Sequence, residues 1–152
     1  MPKSSSTSKS PLRLLWLLPV ALIGVVGIGA VTMMQPPPAD LDLSLTRTTE
    51  LGLYVGTLEP GSASIPVGTM QSWTVAVTTA DGQPVEHAEL SIDGGMPQHG
   101  HGLPTEPRVT DELGGGRYRI DGMKFNMPGW WTITLEISGA AGTDSATFNL
   151  TL

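Results

Sequence analysis

The chain has 152 residues, a net charge of −6 and no cysteine. This length favours a single domain, and the lack of cysteine excludes disulfide bonds, thiolate metal sites and cysteine nucleophiles. All fourteen acidic residues but only five of the eight basic residues lie from Asp40 onward. That acidic excess argues against nucleic-acid binding, which requires a basic face. The acidic excess is compatible with a cation as the ligand, and equally with an ordinary solvated surface.

The N-terminal part has the pattern of a membrane anchor. Residues 1–13 form a basic tail, and residues 14–34 contain no charged side chain. As a helix this run would be about 31 Å long, enough to cross a hydrocarbon core. The basic flank predicts that the tail is cytoplasmic and that the rest of the chain is periplasmic. A cleaved signal peptide is the alternative, but the run is longer than its usual apolar region and no A-x-A-like cleavage site follows.

A proline-rich linker is predicted at 35–49, and a β-domain is predicted at 50–152. Here apolar residues alternate in short segments between Gly, Pro and Asp, and no long amphipathic helix is present. In the first segment Leu51, Leu53 and Val55 share one face. A long loop is expected at about 94–105. The predicted strands are 51–55, 73–78, 88–93, 108–111, 117–120, 131–137 and 148–152.

Seven strands in about 100 residues predict an all-β fold, an immunoglobulin-like Greek-key β-sandwich. A small barrel is the alternative. In the Greek-key arrangement the strands at 88–93 and 131–137 are antiparallel neighbours. The loop that follows the first strand and the segment that precedes the second should therefore meet at one end of the domain.

Between them these segments hold two of the three histidines and three of the seven methionines. Imidazole and thioether groups together suit copper, particularly Cu(I), and Phe125 and Trp130 could shield such a site. The alternative is that the histidines only support turns and that the methionines fill the end of the core. His87 is interpreted as an ordinary surface residue. The predicted metal ligands are His99, His101, Met123 and Met127, with Met96 in reserve.

No pattern of catalytic residues is found. The sequence lacks the G-x-S-x-G, H-E-x-x-H and G-x-x-x-x-G-K-[ST] motifs, and Gly114, Gly115 and Gly116 are interpreted as a hairpin turn. We therefore expect a metal-binding module and not an enzyme, with copper as the cofactor and a membrane protein or copper acceptor as the partner. The alternative is an interaction or assembly module in which the histidine and methionine residues are structural. A carbohydrate-binding sandwich is less favoured, because few aromatic residues are available for stacking.

Four segments carry a resemblance to a known family: residues 81–85, 96–102, 116–118 and 125–131. Together they resemble the YtkA-like domain family and, more loosely, FixH-type proteins. The resemblance implies an immunoglobulin-like fold in a membrane-anchored or periplasmic protein. It also implies a role in respiratory oxidase assembly or copper handling. The positions that match the family and also carry potential metal ligands are Met96, His99, His101 and Met127.

Overall fold

Short alternating segments form nine β-strands within residues 37–152, the part of the chain that the computed structural model describes. The strands are β1 (Thr46–Thr48), β2 (Tyr54–Glu59), β3 (Gln71–Thr79), β4 (Glu89–Met96), β5 (His101–Gly102), β6 (Arg108–Gly114), β7 (Arg117–Met123), β8 (Trp130–Gly139) and β9 (Gly142–Thr151).

Two antiparallel sheets form a sandwich. One sheet has the order β1-β2-β3-β7-β6, and the other has the order β5-β4-β8-β9. The predicted pairing of the strands at 88–93 and 131–137 is confirmed, because β4 pairs antiparallel with β8 from Glu89 to Gly95. The end of β4 therefore lies beside the start of β8, and this brings the two segments rich in potential ligands to one end of the sandwich.

The core lies between the sheets and follows the alternation of the strands. On β8, Trp131, Ile133, Leu135 and Ile137 are all buried, as the spacing predicts, because successive side chains of a strand point to opposite faces. At the end of the sandwich that carries the loop with His99 and His101 (the histidine loop), the centre of the Phe125 ring lies 5.2 Å from that of the Trp131 ring, edge to face. The centre of the Trp73 ring, in the opposite sheet, is 5.8 Å from that of Phe125. Phe125 is thus part of the core and does not shield a site from solvent.

The predicted face of the first strand is wrong. The strand begins at Tyr54, and its buried side chains are Tyr54 and Leu58. Val55 is on the opposite face, and Leu51 is 73% exposed in the preceding turn. The reason is Gly52, whose φ of +75° breaks the extended backbone before the strand starts.

Two short strands were not predicted. β5 lies inside the expected loop at 94–105 and pairs with the end of β4, which continues to Met96. β1 lies inside the range expected to be linker, so the sheet begins earlier in the chain than predicted. The predicted hairpin turn is confirmed at Gly115 and Gly116. Both residues have positive φ, as the two central residues of a type I′ hairpin turn do.

Within residues 37–152 no helix is long and apolar enough to cross a membrane. The predicted anchor at 14–34 lies outside the described residues.

Asp144 ties the turn before β2 to β9. Its carboxylate, only 5% exposed, accepts hydrogen bonds from the backbone N–H groups of Leu51 at 3.0 Å, Leu53 at 3.2 Å and Ser145 at 2.8 Å. Burial raises the pKa of Asp144, but hydrogen bonds from Thr49 and from these amides outweigh it, so that the pKa lies below its ordinary value of 3.8.

We expect Asp144→Asn to lower stability at neutral pH and to reduce its dependence on acidic pH. A carboxylate with a lowered pKa stabilises the fold above the unfolded-state value, and this contribution is lost as the pH falls through the folded-state value. The measurement is urea unfolding of both proteins near pH 7 and at about pH 3. Asp81→Asn, which makes the same charge change on an exposed turn residue, is the control. An Asp144→Asn variant as stable as Asp81→Asn near pH 7 would contradict the prediction.

Candidate functional site

A tight hairpin between β4 and β5 builds one wall of the candidate site. The Met96 carbonyl accepts hydrogen bonds from the backbone N–H groups of His99 and Gly100, both at 3.0 Å, and Leu103 N–H donates to the Gly94 carbonyl at 2.9 Å. Gly100 has a φ of +64°, a conformation that glycine adopts without strain. The turn is therefore closed, and it places His101 directly opposite Met96.

The sheet register then aligns three side chains. Residues opposite each other on antiparallel strands place their side chains on the same face. Met96 therefore shares a face with His101, and the pairing of Gly95 with Thr132 places Met96 beside Trp131 on β8. By register, His101, Met96 and Trp131 form a row at the last rung of the four-stranded sheet, in which Met96 and Trp131 are buried and His101, on the edge strand, is exposed.

Two glycines make this close approach possible. A Cβ atom on Gly95 would lie 2.3 Å from the His101 carbonyl oxygen, and one on Gly94 would lie 2.4 Å from the Thr132 carbonyl oxygen. Both distances are too short for a side chain. The sequence contains this signal as two consecutive glycines directly before Met96, but their role follows only from the register of the strands.

The segment between β7 and β8 forms the facing wall. The Trp131 Nε1–H donates to the Met127 carbonyl at 3.1 Å, and Gly129 N–H donates to the Leu152 carbonyl at 2.9 Å. Gly68, in the loop between β2 and β3, donates to the Phe125 carbonyl at 2.6 Å. The backbone of this segment is thus held at several points, while the Met127 side chain remains 38% exposed.

Between the two walls lies a pocket of about 470 Å³ that is open to solvent on one side. Residues from β4, β5 and their flanking loops, and residues from the β7–β8 segment, surround it. The lining residues are Met96, Gly100, His101, Gly102, Pro104, Asn126, Met127 and Trp131.

Three of the five predicted ligands line this pocket: Met96, which is 2% exposed, His101 and Met127. His99 is exposed and lies next to them, with its ring plane within 6° of the His101 plane and the ring centres 6.2 Å apart. The two rings are stacked in nearly parallel planes. A metal ion lies in the plane of each imidazole that binds it, so one ring would have to turn for both histidines to bind the same ion.

The other predicted residues lie elsewhere. Met123 is in the core at the end of β7, 1% exposed, and is not among the residues that line the pocket. Trp130 is on the outer face of β8, half-buried, and its Nε1–H donates to Asn149 Oδ1 at 3.0 Å. No group of three or more His, Cys, Asp or Glu side chains that could hold a metal ion occurs among residues 37–152. A metal site here would therefore depend on thioether ligands.

His87 lies at the opposite end of the sandwich and is exposed, as predicted. It has a φ of +56°, and its backbone N–H and ring Nδ1 lie 2.7 and 3.1 Å from the two carboxylate oxygens of Glu112. The hydrogen bond from this backbone N–H is the main cause that lowers the pKa of Glu112. This pair links β6 to the segment before β4 and lies far from the pocket.

Comparisons with known proteins identify the family. No curated protein sequence matches the chain. Among solved structures, the chain is similar to the ZirS C-terminal domain, with 13% identity, coverage of 100% of this chain and 88% of that chain, and a TM-score of 0.39. A similarity this weak carries no argument about function. The YtkA-like family matches residues 58–136, more than half of the chain, which confirms the resemblance seen in the sequence motifs. The chain belongs to the YtkA-like family.

Proposed function

We propose that this chain is a membrane-anchored, periplasmic metal-binding module that holds copper as Cu(I) in the pocket between the β4–β5 hairpin and the β7–β8 segment. The observation that supports the proposal is the meeting of Met96, His101 and Met127 in one pocket. These residues come from two separate segments of the chain, and the pairing of Met96 with His101 in the first is fixed by the sheet register.

The chemistry of these donors suits Cu(I). Thioethers are soft ligands that favour Cu(I) over hard cations such as magnesium or calcium, and they need no deprotonation to bind. The residues that line the pocket include no carboxylate and no thiol. His101, Met96 and Met127 would hold the ion, and His99 would be a fourth donor beside His101. Met123 stays a predicted ligand with the weakest support, because it is buried in β7 away from the lining.

The strand order supports a finer description of the fold. The orders β2-β3-β7-β6 and β4-β8-β9 correspond to the ABED and CFG sheets of an immunoglobulin-like Greek-key sandwich, with β1 and β5 added at the edges. In this proposal residues 14–34 anchor the domain, and the module is a carrier and not an enzyme. It would exchange copper with a membrane protein, such as an oxidase during assembly.

The test is a Cu(I) competition titration of the full-length chain against a chromophoric chelator. We expect tight one-to-one binding that is lost in the His99→Ala/His101→Ala double variant, with the circular dichroism of the fold unchanged. His87→Ala is the matched control, since it removes the third histidine from the opposite end of the sandwich, and it should bind like the wild type. Stoichiometric Cu(I) binding by the double variant would overturn the proposed site.

A second function is favoured by one observation. The exposed apolar side chains of Val67, Met70 and Met127 belong to two loops that are joined by the hydrogen bond from Gly68 to Phe125. Exposed apolar groups of this kind are typical of protein-binding surfaces. If the wild-type chain does not compete for Cu(I) at all, the same end of the sandwich would be a docking surface of an assembly module, and the histidine loop would be structural.

A further inference from the structure

We propose that the two thioethers of the pocket have different roles: Met96 sets the affinity for Cu(I), and Met127 sets the rate at which copper enters and leaves. This inference rests on the proposed Cu(I) function. It follows from a difference in burial between two side chains that line the same pocket, one 2% exposed and the other 38% exposed.

Met96 is fixed before any metal binds. It lies on β4 between β5 and β8, and a Cβ atom on Gly129 would lie only 2.9 Å from its Cε atom. Methionine has several rotatable bonds, and ordering them costs conformational entropy. For Met96 this cost has already been met in folding, so that coordination by its sulfur adds little further loss. Met96 is therefore suited to retain the ion.

Met127 stands on the solvent side of the pocket. Its backbone is held by the hydrogen bond from Trp131 at 3.1 Å, but its side chain is 38% exposed, so packing restricts its rotamers less than those of Met96. Coordination would have to order this side chain, and the entropy lost would offset much of what its sulfur contributes to affinity.

Met127 is one of the exposed residues at the open side of the pocket, together with Gly100, His101, Gly102 and Asn126. On the inner side the pocket is closed by the core, where Trp131 packs against Phe125. The soft ligand of a copper donor or acceptor therefore approaches from the open side, where Met127 presents the exposed thioether of the pocket. A side chain that obstructs this open side slows the uptake and the release of copper alike. A ligand that only retains the ion slows release and tightens the Kd, and it leaves the uptake rate unchanged.

The experiment measures two quantities for the full-length chain: the Kd for Cu(I), by competition, and the rate of Cu(I) release to excess chromophoric chelator, by stopped flow. The uptake rate constant is the release rate divided by the Kd. We expect Met96→Leu, a substitution of similar volume, to weaken the Kd by at least about tenfold and to leave the uptake rate at the wild-type value.

We expect Met127→Ala to raise the uptake rate by about tenfold and to weaken the Kd less than Met96→Leu does. Met70→Ala is the control: it removes an exposed methionine from the neighbouring loop that does not line the pocket, and it should match the wild type in both quantities. If both pocket variants weaken the Kd equally and neither changes uptake, this inference is wrong while the Cu(I) function stands. If the wild type does not bind Cu(I), the proposed function itself fails.

Discussion

We expect Trp131→Ala to lower the free energy of unfolding by about 3–5 kcal/mol, as large-to-small changes of buried aromatic residues do. Trp131 is 2% exposed, and its ring packs edge to face on Phe125, which in turn contacts Trp73 of the other sheet. Removing the indole would open a cavity at the point where the two sheets are joined. A loss of this size is a large part of the roughly 5–15 kcal/mol by which domains are usually stable.

The same substitution should also release the wall of the candidate site, because the Trp131 indole holds the Met127 carbonyl. The neighbouring tryptophan provides the control. Trp130→Ala removes a half-buried ring from the outer face of the same strand and a single hydrogen bond to Asn149. Urea unfolding of both variants measures the difference. Equal losses of stability in the two variants would show that Trp131 does not join the sheets as described.

The long strands could be predicted from the sequence because their alternation is sustained. β8 places four apolar residues at every second position, and only one register hides all of them. The pairing of β4 with β8 could be predicted as well, since it follows from the usual order of strands in a Greek-key sandwich. This pairing predicts that the two ligand-rich segments meet at one end of the sandwich.

The short elements could not be predicted for the opposite reason. Leu51, Leu53 and Val55 alternate over only three positions, and so few residues do not decide which face is buried. The turn at this point is fixed by hydrogen bonds from the Leu51 and Leu53 amides to the carboxylate of Asp144. That residue lies 93 and 91 positions further along the chain. β5 has only two residues and is formed by pairing with β4, not by a pattern of its own.

The candidate site also has features that the sequence predicts and features that it does not. Ligand chemistry predicts His99, His101, Met123 and Met127, with Met96 in reserve, and of these His101, Met127 and Met96 line the pocket while His99 lies beside it. It predicts Met123 equally, because composition does not separate a methionine in the core from one beside a cavity. The close approach of Gly94 and Gly95 to neighbouring carbonyls does not follow from the sequence, since it depends on distances between strands that only the folded register defines.

The position of His101 should depend on one of these glycines. We expect Gly95→Ala to destabilise the domain by about 1–3 kcal/mol, the usual range for overpacking. The added methyl group would lie 2.3 Å from the His101 carbonyl oxygen. Because the clash is with backbone, β5 must move away from β4. The alignment of His101 with Met96 would then be lost although neither potential ligand has been changed.

Gly102→Ala is the matched control for this prediction. Gly102 is directly opposite Gly95 in the hairpin, but the nearest atom to its added methyl group would be the Gly94 carbonyl oxygen at 3.7 Å, an ordinary contact. Hydrogen exchange of the Leu103 amide, which donates to the Gly94 carbonyl, reports whether β5 stays in place. We expect rapid exchange in Gly95→Ala and wild-type protection in Gly102→Ala. Equal protection in both variants would mean that β5 tolerates the methyl group, and the row of His101, Met96 and Trp131 would then not depend on glycine at position 95.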